Sequence, residues 1–116
     1  MGLTQKLGTV PLAIFTDSSN NVGIGGAPSG SYKFDVTGTG RFTTTSTVPL
    51  TAETTSGNSG VMIKTSSSST NWLLGGQYNV GNGFEITPST AAGGTTFSTP
   101  ALVVKNTGNV GIGTSS

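Results

Sequence analysis

The side chains that could do chemistry in this chain are few and widely spaced. Among 116 residues there are five basic and four acidic side chains, and the chain contains no cysteine and no histidine. The many serine and threonine hydroxyls therefore have no imidazole to activate them as nucleophiles. The carboxylates stand singly, at Asp17, Asp35, Glu53 and Glu85, so their spacing proposes neither an acid–base pair nor a metal cage. We expect no catalytic residue, no metal site and no cofactor.

The densest group of charges consists of Lys33, Asp35 and Arg41. Two interpretations are open: these side chains pair between subunits and fix their register, or they form the solvated face of a strand. Exposed ion pairs contribute only about 0 to 1 kcal/mol, so the pattern alone does not decide. The net charge of +1 offers no basic surface for phosphates, and nucleic acid is not expected as a partner.

Two aromatic residues, Trp72 and Tyr78, could present their rings to a sugar. Packing in a core is the favoured interpretation, because a chain with few large apolar side chains tends to bury its only tryptophan.

The elements that must position these residues are predicted to be strands, and we expect an all-β fold. No window has apolar residues at helical spacing. Tyr32, Phe34 and Val36 alternate with polar residues, which indicates a strand with one buried face. Further strands are predicted at residues 41–47, 50–54, 61–65, 71–78, 83–87, 102–104 and 110–112, with a hairpin connection at 79–82 and loops at 66–70 and 89–96.

A repeat organises the chain. The phrase Asn-Val-Gly-Ile-Gly occurs at residues 21–25 and again at 109–113, each time after an apolar run and a polar turn, and the copies differ by one residue in the turn. Such repeats indicate units completed by their neighbours. In an extended strand Gly23 and Gly25 share one bare face, which lets another chain or strand approach closely; a glycine-rich turn is the alternative.

The composition favours assembly with other chains. Thr, Ser and Gly account for 55 of 116 residues, and only 32% are hydrophobic, so a monomer would bury too little to offset the conformational entropy lost on folding. Without cysteine, oligomerisation is the remaining source of buried area. The longest apolar run, residues 10–15, is short and contains Pro11, so membrane insertion is not expected.

Taken together, these phrases resemble a pattern that recurs in bacteriophage fibre proteins, the head and tail fibres of virions. The resemblance rests on residues 21–25, Pro28, 33–36, 38–42, 99–104 and 108–113, about half of the chain. It implies a homotrimeric, intertwined β-fibre with β-sandwich-like knobs around a three-fold axis and no significant helix. The trimer core would then contain Val22, Ile24, Phe34, Val36, Val110 and Ile112.

The resemblance also implies a domain plan. Residues 1–19 would attach the fibre to the virion, 20–47 would form the first glycine-repeat unit, 48–107 a β knob, and 108–116 the start of a second repeat unit that is cut short. The apolar residues of the first segment would bind a capsid or tail protein by adding a strand to it or inserting into it; the alternative is an ordinary first strand of the trimer. These residues are Leu3, Leu7, Val10, Leu12, Ile14 and Phe15.

The expected function is therefore structural: a virion fibre protein, not an enzyme, made in the host cytoplasm and located on the virion surface. Its partners would be copies of itself and a capsid or tail protein. Two alternatives stay open. A receptor-binding module recognising host surface glycan would use loops 66–70 and 89–96, whereas a fragment of a glycan-cleaving tailspike would need acidic residues gathered in a groove between chains.

Overall fold

The computed structural model describes residues 14–45 and 47–113, and these residues form strands and irregular segments without a helix. The predicted all-β class is confirmed. Eight strands follow in order: β1 Ile14–Thr16, β2 Val22–Ile24, β3 Phe34–Val36, β4 Ser59–Ile63, β5 Trp72–Gly76, β6 Gly83–Pro88, β7 Leu102–Lys105 and β8 Val110–Ile112. The chain divides into two compact units, Met1–Pro49 and Leu50–Ser116, which are described separately.

The first unit contains a three-stranded sheet in the order β1-β2-β3. β1 pairs antiparallel with β2, and β2 pairs parallel with β3. The parallel pair needs a long connection, residues 25–33, to return the chain to the same end of the sheet.

The second unit is a five-stranded antiparallel meander in the order β4-β5-β6-β7-β8. Consecutive strands are neighbours throughout, so local hairpins define the sheet. One face is covered by the connections at residues 77–82 and 89–101, and the buried apolar side chains of the described residues are Leu73, Val80, Phe97 and Val103. Such a small core agrees with the low hydrophobic content of the chain.

The two copies of the repeat form the same hairpin. Thr16 pairs with Val22 in the first copy and Val104 pairs with Val110 in the second, with five residues between the partners each time. In both turns the fourth residue has positive φ, 59° at Asn20 and 91° at Gly108. Both turns close with equivalent main-chain bonds, Asn20 N to Asp17 O and Gly108 N to Lys105 O. The one-residue difference between the copies therefore does not lie in this turn.

Two predicted strands are wrong. The first is the strand predicted at 41–47, of which the described residues, 41–45 and 47, are irregular. The second is the strand predicted at 50–54, which is irregular throughout. Threonine favours a strand only where a pleated, half-buried surface receives its side chain, and this stretch belongs to neither sheet. Pro49 interrupts it, and the Thr54 hydroxyl donates to Asn58 O at 2.7 Å, closing a turn.

The predicted hairpin around residue 80 is confirmed, but its connection is longer than expected. β5 ends at Gly76 and β6 begins at Gly83, so the connection covers residues 77–82. Positive φ occurs at Gln77 and Asn82. The structure also confirms the predicted strand pair 102–104 and 110–112 and the predicted loops 66–70 and 89–96. The strand predicted at 61–65 begins two residues earlier, at Ser59.

Candidate functional site

An unbroken row of aliphatic side chains crosses all five strands of the second sheet. Val61 pairs with Leu74, Leu74 with Ile86, Ile86 with Leu102, and Leu102 with Ile112. Residues directly opposite each other in neighbouring strands point to the same side of the sheet. The row is therefore a continuous apolar surface that takes one residue from each strand and crosses the full width of the sheet.

The rows on either side extend this surface. Ile63 pairs with Trp72, and Phe84 pairs with Val104, which in turn pairs with Val110. All members of the face are half-buried or exposed, although each is large and apolar. We call this the apolar sheet face; it consists of Val61, Ile63, Trp72, Leu74, Phe84, Ile86, Leu102, Val104, Val110 and Ile112.

The opposite face of the same sheet is buried on β5, β6 and β7 and is partly polar. Glu85 has 0% exposure and lies between Phe84 and Ile86, which point to the apolar sheet face. Its Oε1 accepts from the main-chain N of Asn79 at 2.6 Å and of Val80 at 3.1 Å, while Oε2 accepts from Asn79 Nδ2 at 2.6 Å and Thr87 Oγ1 at 3.0 Å. The carboxylate thus fixes the β5–β6 connection onto the sheet.

The Glu85 carboxylate is ionised without a cationic partner among these contacts. Burial raises the pKa of this carboxyl, but the hydrogen bonds from Asn79, Val80 and Thr87 together lower it more, and the net pKa lies below the usual 4.5. Donors aimed at a buried carboxylate stabilise its charge as a cation would. Glu85 is therefore a structural group that is already satisfied, rather than a free acid or base.

A second buried polar side chain joins the two serine- and threonine-rich loops. Asn71 is fully buried; its Oδ1 accepts from Thr65 N at 2.8 Å and its Nδ2 donates to Gly94 O at 2.8 Å. Gly93 N also donates to Ser69 O at 2.8 Å. Loops 66–70 and 89–96 therefore lie side by side at one end of the second sheet, and we call them the paired loops.

In the first unit, the close approach at the glycine phrase is made within the same chain. A Cβ placed on Gly23 would lie 2.9 Å from Pro28 N and would also meet Gly26 O. Gly25 has φ of +79° and faces Thr37 O. The bare glycine face predicted from the sequence is therefore contacted by Gly26, Pro28 and Thr37 of its own chain.

The turn of the first hairpin is organised by Asp17. Its Oδ1 accepts from Ser19 N at 2.8 Å and Asn21 N at 3.0 Å, and its Oδ2 accepts from Asn21 Nδ2 at 2.9 Å. The main-chain hydrogen bond from Asn21 is the largest cause that lowers the pKa of Asp17 below its usual 3.8. This carboxylate, like that of Glu85, closes a connection between strands.

The predicted inter-subunit charges have partners within their own chain. Lys33 Nζ donates to Ser19 O at 2.6 Å, and Asp35 Oδ2 accepts from Ser29 N at 3.0 Å. Arg41 is exposed. Pairing of these side chains between subunits stays a prediction.

The residues predicted for the trimer core fall on the two sheets. Val22 pairs with Phe34, and Ile24 pairs with Val36, so these four share one face of the first sheet. Val110 and Ile112 belong to the apolar sheet face of the second. Ile14, predicted for virion attachment, pairs with Ile24 and shares its face, whereas Phe15 pairs with Gly23 on the other face. Leu3, Leu7, Val10 and Leu12 lie outside the described residues.

The sequence singles out only Trp72, Val110 and Ile112 among the members of the apolar sheet face, and it does not reveal the buried roles of Glu85 and Asn71. The alternation Phe84-Glu85-Ile86-Thr87 indicates a strand with one apolar and one polar face, although it does not show which face the rest of the chain covers. Trp72, expected in the core, is 38% exposed on the apolar sheet face. Tyr78 contacts Phe97 edge-on, with ring centroids 6.4 Å apart, and stays partly exposed.

The part of the chain that the structure describes holds no group of three or more metal-ligating side chains. A search of the same residues finds no helix that could span a membrane. No family model matches the chain, and no curated protein is significantly similar to it.

Proposed function

We propose that this chain is a structural subunit of a bacteriophage fibre that acts as a homotrimer and attaches to the virion through its amino-terminal segment. The observation that carries the proposal is the apolar sheet face. A monomer would leave ten large apolar side chains, arranged in contiguous rows, in contact with water, and contiguous apolar surface of this kind marks an interaction site.

Association of identical sheets is the arrangement that this surface favours. Fully burying a large apolar side chain contributes about 1.5 to 3 kcal/mol, so ten partly exposed ones contribute on the order of 10 kcal/mol per chain. That gain is of the same size as the cost of association, about 4 to 15 kcal/mol. The net free energy of association is therefore small, and one charge placed in the centre of the face should prevent assembly.

The resemblance of the glycine phrases to bacteriophage fibres supports the choice of three subunits and of the virion as the location. Three sheets that turn their apolar faces toward a common axis would bury the aliphatic row between Val61 and Ile112. The partners of the chain would then be two further copies of itself and, through the first segment, a capsid or tail protein.

The test of assembly is the native mass of the purified chain by multi-angle light scattering. We expect three times the chain mass of 11.5 kDa for the unmodified protein and a monomer for Ile86→Asp, whose charge enters the centre of the row. Thr55→Asp adds the same charge at an exposed turn and serves as the matched control. A compact monomer of the unmodified chain would refute the trimer.

The test of attachment uses particles rather than the isolated chain. Deletion of residues 1–10 should abolish incorporation into virions and leave the trimer intact. Loss of the trimer in this variant would instead assign the segment to the subunit interface.

A second candidate function, recognition of host surface glycan, is favoured by the paired loops. They present clustered hydroxyls, including Ser66 Oγ within 2.9 Å of Ser69 Oγ, on a support that Asn71 holds in place. Hydroxyl groups of this kind suit hydrogen bonding to sugars. Isothermal titration with purified host polysaccharide tests it: saturable binding that is lost in a Ser66→Ala, Ser69→Ala double variant supports recognition, and the absence of heat contradicts it.

A further inference from the structure

The two hairpins of the repeat differ in what lies along the outer edge of their glycine strand. In the first copy, β2 pairs with β1 on one edge and with the parallel strand β3 on the other. In the second copy, β8 pairs with β7 alone within the described residues. The hairpins otherwise have the same sequence phrase, the same register and the same turn. The outer edge of β8 therefore has the same main-chain arrangement as the edge of β2 that pairs with β3.

We propose that the outer edge of β8 binds an added parallel strand with the chemistry of residues 33–37, Lys-Phe-Asp-Val-Thr, supplied from outside the described residues. The described residues contain two Val-Gly-Ile acceptor strands and one such donor strand, β3, which β2 already binds. A donor for β8 must therefore come from outside these residues. This inference does not depend on the number of subunits in the proposed fibre.

The hydrogen bonds of the first copy show which main-chain groups of β8 are available to an added strand. Val22 N donates to Lys33 O at 2.8 Å, and Ile24 O accepts from Thr37 N at 2.9 Å. The equivalent groups in the second copy are Val110 N and Ile112 O, which by the shared register point away from β7. Strand addition to such an edge takes its affinity from main-chain hydrogen bonds and its specificity from alternate side chains.

Side-chain exposure supports the same conclusion. In the first copy Phe34 lies opposite Val22 and Val36 lies opposite Ile24, and both β2 residues are half-buried. In the second copy Val110 is 60% exposed and Ile112 is 82% exposed. An added strand would place its aromatic and valine side chains beside these two residues.

The experiment is a titration of the full isotope-labelled chain with a synthetic peptide of residues 31–39, blocked at both ends, followed by amide chemical shifts. We expect saturable shifts at residues 110–112. Val110→Pro removes the outward N–H and should weaken binding about tenfold, equivalent to about 1.4 kcal/mol, whereas Val110→Ala keeps that N–H and should retain most of the affinity.

A second peptide tests the same hydrogen-bonded edge without the proline variant, which could fail to fold. N-methylation of its Thr37 amide removes the donor for Ile112 O and should weaken binding to the unmodified chain by a similar factor. No saturable binding at millimolar peptide would overturn the proposal. So would shifts confined to residues 22–24, because the peptide would then only exchange with β3, and so would equal affinity of the methylated and unmethylated peptides.

Discussion

Removal of the buried Glu85 carboxylate should cost more stability than any other single substitution of a polar residue in the second sheet. Glu85→Ala leaves four donors without their acceptor. Asn79 is exposed, so water can reach its two donors, but Val80 and Thr87 are buried. Each buried unsatisfied group costs about 1 to 3 kcal/mol, which gives about 4 kcal/mol for the pair.

Glu85→Gln is the matched variant, because it keeps the shape and one carbonyl oxygen. That oxygen can still accept from the main-chain amides of Asn79 and Val80, and the Thr87 hydroxyl can turn to accept from the new amide. We expect a loss of about 1 to 2 kcal/mol, mainly from the weaker hydrogen bonds of a neutral acceptor.

The assay is urea unfolding followed by Trp72 fluorescence, at one protomer concentration for all variants because the stability of an assembled protein depends on concentration. A loss of less than about 1 kcal/mol in Glu85→Ala, or a Gln variant less stable than the Ala variant, would contradict this role of the carboxylate. A third variant, Thr87→Val, removes one donor together with its need for an acceptor and should cost the least.

Three further outcomes are expected. Because Glu85 and Asp17 have a lower pKa in the folded than in the unfolded chain, their stabilisation is complete above the unfolded pKa and is lost as the pH falls. The urea midpoint should therefore drop as the pH falls below about 5, and it should drop less in Glu85→Gln. Asn71→Ala should lower stability by about 2 to 4 kcal/mol and speed proteolysis in the paired loops, whereas unchanged cleavage there would contradict their linkage through this side chain. Gly23→Ala should lower the melting temperature through a clash with residues 26–28, equivalent to about 1 to 3 kcal/mol, with the open position Gly40→Ala as control.

The sequence predicts the strands of the second unit well because its hairpins are local. Alternating residues and turn signals at 79–82 and 105–109 suffice to place β5 to β8. The same rules fail at residues 41–47 and 50–54, where threonine-rich segments have strand propensity without a sheet to receive them. Propensity describes how well a residue fits a pleated surface, and the presence of that surface is decided elsewhere in the chain.

The candidate site was harder to predict than the strands. Alternation at residues 84–87 separates apolar from polar side chains, and the usual expectation is that the apolar ones are buried within the chain. Here the polar side carries the connections and the apolar side is left exposed, because Asn79 and Thr87 satisfy the carboxylate of Glu85. That arrangement depends on the path of the 77–82 connection, which periodicity does not reveal.

The position of Glu85 between two apolar neighbours also has a consequence for errors during folding. If β6 slipped by one residue against β5 or β7, its side chains would change sides, and the carboxylate would move to the apolar sheet face while Phe84 and Ile86 turned toward the donors. The wrong pairing would lose four hydrogen bonds and place a charge where the aliphatic row should close. The Glu85 carboxylate therefore disfavours the shifted register of β6, in addition to the alternation of its apolar side chains.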